Sequence, residues 1–173
     1  MITIRAAKSK LENQEGMNHL WVRLQPIGPV KNARMQIILP PGIFRSRNLN
    51  NFYETDAGEL VIYQPEISDD LYIEIYTREP VKPESKTIIF ALSYICTHGV
   101  FNKVEHSFPI HVVEEDEMND VGIDAEVVRR IKELRLYAEG TKDRYLNEYP
   151  PAKILKIDSG QYSDLEKKYR IEG

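Results

Sequence analysis

Four histidines, one cysteine and a run of carboxylates are the side chains of this sequence best able to do chemistry. His106 and His111 are five apart on one stretch of strand-like alternation, so they point to opposite faces and cannot share a metal ion. His98 stands in the loop-like residues before them, and His19 belongs to a separate apolar run. Only His106 shares a face with Val104, Phe108 and Ile110, which makes it an expected hydrogen-bonded histidine of the core or its rim rather than a ligand. Cys96 is the single cysteine, which rules out an intramolecular disulfide and a cysteine-based zinc cluster. In its apolar strand it reads as a small buried hydrophobe, and burial would raise its pKa and leave it inert.

The carboxylates give no catalytic arrangement either. With Gly122 at the sixth position of an EF-hand loop, side-chain oxygens would be required at Asn119, Val121 and Val128, and valine has none to give. Glu114-Glu115-Asp116-Glu117 therefore reads as a solvated acidic linker, and Asp69-Asp70 as a turn before a strand. The sequence lacks Gly-x-Ser-x-Gly, the phosphate-binding P-loop and Gly-x-Gly-x-x-Gly, and Asp158-Ser159-Gly160 is a turn signature with no histidine near it. No catalytic residue, metal or cofactor is expected, and the chain leans away from the enzymes.

A net charge of −4 and a pI near 5.6 leave no general basic field for nucleic acid. The local candidates are Arg45 and Arg47 in an irregular segment, and the basic residues Arg129, Arg130, Lys132 and Arg135. In the latter group Glu126/Arg130, Arg129/Glu133 and Arg135/Glu139 are four apart, the pattern of a neutralised solvent face on a helix. Nucleic-acid contact through Arg45 and Arg47 is kept as an alternative.

The elements that would position these groups are mostly strands. Leu20, Val22 and Leu24 alternate with His19, Trp21 and Arg23; Ala33, Met35, Ile37 and Leu39 alternate with Arg34 and Gln36; Leu71, Ile73 and Ile75 alternate with Tyr72, Glu74 and Tyr76. Lys86–Thr97 and Lys103–Val113 flank a hairpin loop at residues 98–102, and Ile2–Ala7 and Leu60–Tyr63 bring the total to about seven strands. Proline-rich turns at 26–29, 40–42 and 80–83 separate the runs, leaving 44–58 as a mobile surface loop. Short strands at this spacing predict an immunoglobulin-like β-sandwich over 1–113, because a parallel sheet would need crossover helices between them.

Val30-Lys31-Asn32-Ala33-Arg34-Met35-Gln36-Ile37-Ile38-Leu39-Pro40-Pro41-Gly42-Ile43 ends an alternating strand in a Leu-Pro-x-Gly-like turn. Val81-Lys82-Pro83 then introduces the long strand Glu84 to Tyr94. On these features residues 17–113 resemble Ig-like accessory modules of the CARDB type, the cell-adhesion-related domains of bacteria. The resemblance implies a sandwich used as a spacer or binding module, without catalytic residues, in an extracellular setting. Met1–Lys8 has no apolar segment of signal-peptide length and no apolar run approaches the ~18 residues of a membrane span, so the residues themselves predict a cytoplasmic protein.

The resemblance does not reach the C-terminal third. After the acidic linker, residues 114–122, a helical extension is expected over 123–173, and the whole net charge falls on residues 114–173. Asp124 is a suitable N-cap, Val127, Ile131, Leu134 and Ala138 recur at helical spacing, and Gly140 stands where a helix would end. Thr141 could cap a second short helix, Ala152–Ile157 has extended character, and Ser163-Asp164-Leu165-Glu166 has capping-box form.

Trp21, Tyr72, Tyr76, Ile89 and Ile95 fall on outward sheet faces, and large apolar surface of this kind is usually covered. The cover is either the chain's own helix, through Val127, Ile131 and Leu134, or another subunit or protein partner. The function expected is therefore a non-catalytic interaction or assembly module, with homo-oligomer formation possible. The alternative is a small enzyme or ligand-binding protein with a cleft between sandwich and extension.

Overall fold

The computed structural model describes the backbone of residues 1–146 and the side chains of residues 1–140. Ten strands follow one another as β1 (Ile2–Ala6), β2 (Lys10–Glu12), β3 (Met17–Leu24), β4 (Lys31–Ile38), β5 (Ile43–Arg45), β6 (Tyr53–Glu54), β7 (Leu60–Val61), β8 (Asp69–Thr77), β9 (Ser85–Ile95) and β10 (Phe101–Val113). A 3-10 turn (Glu115–Asp120) and helix α1 (Ala125–Leu146) complete the described chain. One sheet has the order β1-β3-β8-β5 and the other β2-β10-β9-β4-β7-β6. The architecture is thus mainly β, in two sheets, with a strand in each of the seven runs that alternation marks, the run at 60–63 shortened to the two residues of β7. The additional strands β2, β5 and β6 are two or three residues long, too short to show a period of two.

Alternation dictates which side chains meet between the sheets. Leu20 and Val22 of β3 stand opposite Ile73 and Leu71 of β8, and all four are buried. They face Met35 of β4, Ile88, Phe90 and Leu92 of β9, and Ile110 and Val112 of β10 in one continuous apolar core. The start of the chain serves both sheets. β1 runs antiparallel to β3, and beyond Ala7 the chain crosses over so that β2 runs parallel to the end of β10.

Two polar details hold the rim of this core. Thr77 is buried; its hydroxyl accepts the Gly16 amide at 2.9 Å and donates to the Glu12 carbonyl at 2.8 Å, tying the end of β8 to the chain after β2. Gly42, at φ +87°, turns the chain after Pro40-Pro41, and a Cβ there would lie 2.7 Å from a Val81 methyl, so only glycine fits.

Several sequence expectations are corrected. Residues 44–58 are not a loose loop, because the Glu54 carboxylate, nearly buried, accepts three bonds from Arg45 and two from Asn48, and β6 pairs with β7. His106 does pair with Phe90 in register, and so shares its face. The four-stranded sheet does not extend over that part of β10, however, and His106 and Val104 are exposed. Cys96 is half-buried rather than a core residue, since β9 ends at Ile95 and Cys96 already belongs to the turn, its amide bonding the Val100 carbonyl.

Helix α1 does not end at Gly140. This glycine keeps a right-handed conformation and the helix runs on to Leu146, a single internal glycine weakening a helix by only ~1 kcal/mol. Ala138 is exposed, its place in the buried stripe taken by Val128. The expected elements at 152–157 and 163–166 lie outside the described residues.

Replacing Thr77 with valine preserves shape but strands the Gly16 amide and removes the donor to Glu12. Thr77→Val is expected to lower unfolding free energy by about 1–3 kcal/mol in denaturant melts, with an unchanged m-value.

Candidate functional site

Of the residues that the sequence marks for a contact surface, Trp21, Tyr72, Val127 and Ile131 come together on the outer face of the four-stranded sheet. Trp21 of β3 and Tyr72 of β8 are register partners whose rings stack at 6.5 Å with 14° between planes. Helix α1 lies over them, and Val127, Val128 and Ile131 join Ala7, Trp21 and Tyr72 in a second buried apolar cluster, with Leu134 half-buried at its end.

The helix is seated by its N-terminus. The Asp124 carboxylate accepts the amides of Glu126 and Val127 at 3.2 and 3.3 Å, satisfying donors that the first helical turn leaves free. Arg5 of β1 donates two bonds of 2.8 Å to the same carboxylate and a third of 2.9 Å to Glu126. The shared charge raises the Arg5 pKa, chiefly through Glu126 and Asp124, and holds Glu126 below the ordinary carboxylate value, chiefly through Arg5. Backbone bonds from Ser9 to Gly122 and from Asp124 to Ala7, each 2.8 Å, fix the chain entering the helix. The preceding acidic segment is fastened too, since Lys10 bonds the Glu117 carbonyl and the Asp120 carboxylate.

Charge frames the tryptophan. The guanidinium of Arg130 lies 4.0 Å from the Trp21 ring centroid, with those of Arg5 and Arg23 at 5.1 and 5.7 Å, while the indole N–H donates to Asp70 at 2.9 Å. Along the helix, Glu126/Arg130 and Arg129/Glu133 pair as their spacing predicts.

Tyr76 stands apart from this seam. Its ring stacks on Phe44 at 5.9 Å, and Arg78 covers both rings. Ile89 and Ile95 lie half-buried on the six-stranded sheet, away from the helix. Arg45 is committed to Glu54 and to the Gly58 carbonyl, which leaves Arg47 as the exposed member of that pair.

Sequence reasoning missed His19. It alternates with the core side of β3 and so reads as solvent-facing, yet it is fully buried. Its ring lies opposite Glu74 of β8, one pleat along from the Trp21–Tyr72 pair. The Nε2 of His19 is 3.2 Å from one Glu74 oxygen, and Ser46 donates to the other at 2.9 Å. A carboxylate only accepts, so Nε2 carries the proton. Burial lowers the His19 pKa against the opposing pull of Glu74, while the bond from His19 leads the effects that hold Glu74 below its usual value. The signal available in sequence was the shared two-residue offset of His19/Trp21 and Tyr72/Glu74.

Serine, glutamate and histidine do not form a nucleophilic triad here. The carboxylate sits between the other two, so the hydroxyl has no imidazole to take its proton. Among the described residues, no three histidine, cysteine, aspartate or glutamate side chains are grouped to hold a metal ion, and no helix is long and apolar enough to cross a membrane.

No family model matches this chain, and no curated protein matches it. Solved structures similar to this chain include BcpA, the major pilin subunit of Bacillus cereus, and a variant of it, with TM-scores of 0.40 and 0.45. Each is 10% identical and is matched over 66% of this chain and 40% of the pilin chain. The aligned part is therefore less than half of the pilin subunit's length.

Two outcomes test the seam. Ile131→Ala should destabilise the protein by about 2–5 kcal/mol in chemical denaturation, as expected for a fully buried side chain. The pH dependence follows from His19. The unfolded chain binds a proton near 6.5 and the folded chain only at lower pH, so stability should fall as pH drops below 6.5. Glu74 adds a further loss as pH falls below the ordinary 4.5 and through its lowered folded value. In His19→Gln, thermal melts should lose the first of these two slopes and show a smaller second one, since the His19 bond leads the effects that hold Glu74 low.

Proposed function

We propose that this chain is a non-catalytic assembly module, an immunoglobulin-like sandwich that carries helix α1 as an arm for a protein partner. In this reading β1, β3, β8 and β5 correspond to the A, B, E and D strands of such a sandwich, and β4, β9 and β10 to C, F and G. Residues 1–113 are the scaffold, 114–122 the fastened connection and 123–173 the interacting extension.

The division of α1 supports this most directly. Its 22 residues span about 33 Å, yet among residues 125–140 the buried ones all precede Glu133, and residues 135–138 are exposed. Leu136, in this outer half, is 51% exposed. A helix held at one end by an N-cap, an arginine clamp and an apolar cluster presents its other end in a fixed direction. Pre-orientation of that kind lowers the entropy lost on association. The groups beneath the helix serve its attachment, with Trp21, Val127 and Ile131 packed together in the seam. An open hollow between sandwich and extension, lined by Arg5, Phe108, Ile110, Ile123 and Asp124, lies beside the helix start.

The test is Leu136→Asp in the full chain. Because Leu136 is exposed, stability should stay within about 0.5 kcal/mol of the parent. Light scattering should show the parent associating with rising concentration, or binding a partner in copurification, and the variant losing that association. A parent that remains monomeric and partnerless, or a variant that associates as the parent does, overturns the reading.

A further inference from the structure

Where the β6–β7 end of one sheet approaches the start of β8 in the other, the surface has a hollow of 330 Å³ lined by Asn50, Asn51, Phe52, Tyr63, Gln64 and Asp69. We propose that this hollow binds a neutral sugar, the Tyr63 ring forming the platform and the side chains of Asn51, Gln64 and Asp69 the hydrogen-bonding rim. No residue of α1 lines it, and it stands independently of the assembly reading.

The floor is fixed before any ligand arrives. Asn50 donates to the Asp70 carbonyl at 2.5 Å and accepts the Tyr72 amide at 3.1 Å, which locks its loop to β8. Phe52 is half-buried against the main core, and its amide bonds Asn48. On the other side the backbone is held by Ile62 to Ala33 at 2.9 Å and Ile27 to Pro65 at 2.7 Å. One oxygen of Asp69 accepts the Asp70 amide, which orients the carboxylate.

The rim, by contrast, has bonding capacity to give. Among the described residues, the side chains of Asn51, Gln64 and Tyr63 take no hydrogen bond, and Tyr63 is 73% exposed.

The chemistry of the lining selects the ligand. Asp69 is its one charged group, so an anion meets repulsion and a metal ion lacks a ligand set. Two amides each offer an acceptor and two donors, and the carboxylate accepts twice, which suits neighbouring hydroxyl groups. The apolar faces of Tyr63 and Phe52 suit the C–H face of a pyranose ring. A shallow, open hollow implies a weak complex, with a dissociation constant of about 1 mM.

The experiment is an amide and aromatic NMR titration of the full chain with cellotetraose, chitotetraose and maltotetraose, each to about 10 mM. At least one should give saturable shifts of the Asn51 and Gln64 side-chain amides and of the Tyr63 ring. Tyr63→Ala, an exposed substitution whose spectrum reports its own folding, should weaken that binding about tenfold. Tyr53→Ala, on the neighbouring strand and outside the hollow, should leave it unchanged. Absence of saturable shifts with all three sugars overturns the proposal. So does binding that persists in Tyr63→Ala, or saturable shifts confined to residues elsewhere.

Discussion

The burial of Trp21 on the outside of a sheet is the constraint on which the other arrangements depend. A sandwich core uses one face of each strand, and on β3 that face belongs to Leu20, Val22 and Leu24. Trp21 necessarily points the other way, beside Tyr72, and together they present more apolar surface than a solvated face readily tolerates. Covering them requires an element with its own apolar stripe. Helix α1 supplies Val127, Val128 and Ile131, which in turn could not hold a helix together in water alone.

The polar groups around the seam follow from that cover. Arg5 both clamps the Asp124 cap and lies over the tryptophan ring, so one side chain couples the first strand, the helix start and the second core. The arginines near Trp21 are balanced by Asp70, Asp124 and Glu126, which avoids a cluster of unpaired positive charge. Arg5 is too exposed for its ion pairs to dominate stability, so they chiefly set the position of the helix while burial supplies most of the energy.

His19 shows how the same cover changes chemistry. On an open sheet face it would titrate like an ordinary imidazole, but buried beneath the helix its charged form is disfavoured and its proton is donated to Glu74. Arg135, on the outer half of α1, favours the Glu74 carboxylate and opposes a charged His19, so the pair is tuned from the helix as well as from the sheet. Its place under an attachment surface, with Ser46 bonded to the carboxylate rather than the imidazole, makes it a polar anchor between β3, β8 and the loop after β5.

Sequence alone determined the period-two runs, the turns between them, the Asp124 cap and the existence of an uncovered aromatic face, because each rests on local spacing that a strand or helix repeats. The strands in the seven alternating runs follow from those patterns, whereas the choice of the chain's own helix rather than another subunit as the cover for Trp21 and Tyr72 does not. Tertiary structure decided the rest. Which inward-facing residues are buried depends on how far the opposite sheet extends, and that left His106 exposed. Which outward-facing residues are buried depends on where the helix lies, and that enclosed His19. Arg45 and Glu54, nine residues apart in an irregular stretch, have no periodicity to announce their pairing, and the residues around Tyr63 meet only because two sheets converge there. Local pattern fixes the face a side chain takes; only the packing of one element on another decides whether that face meets water.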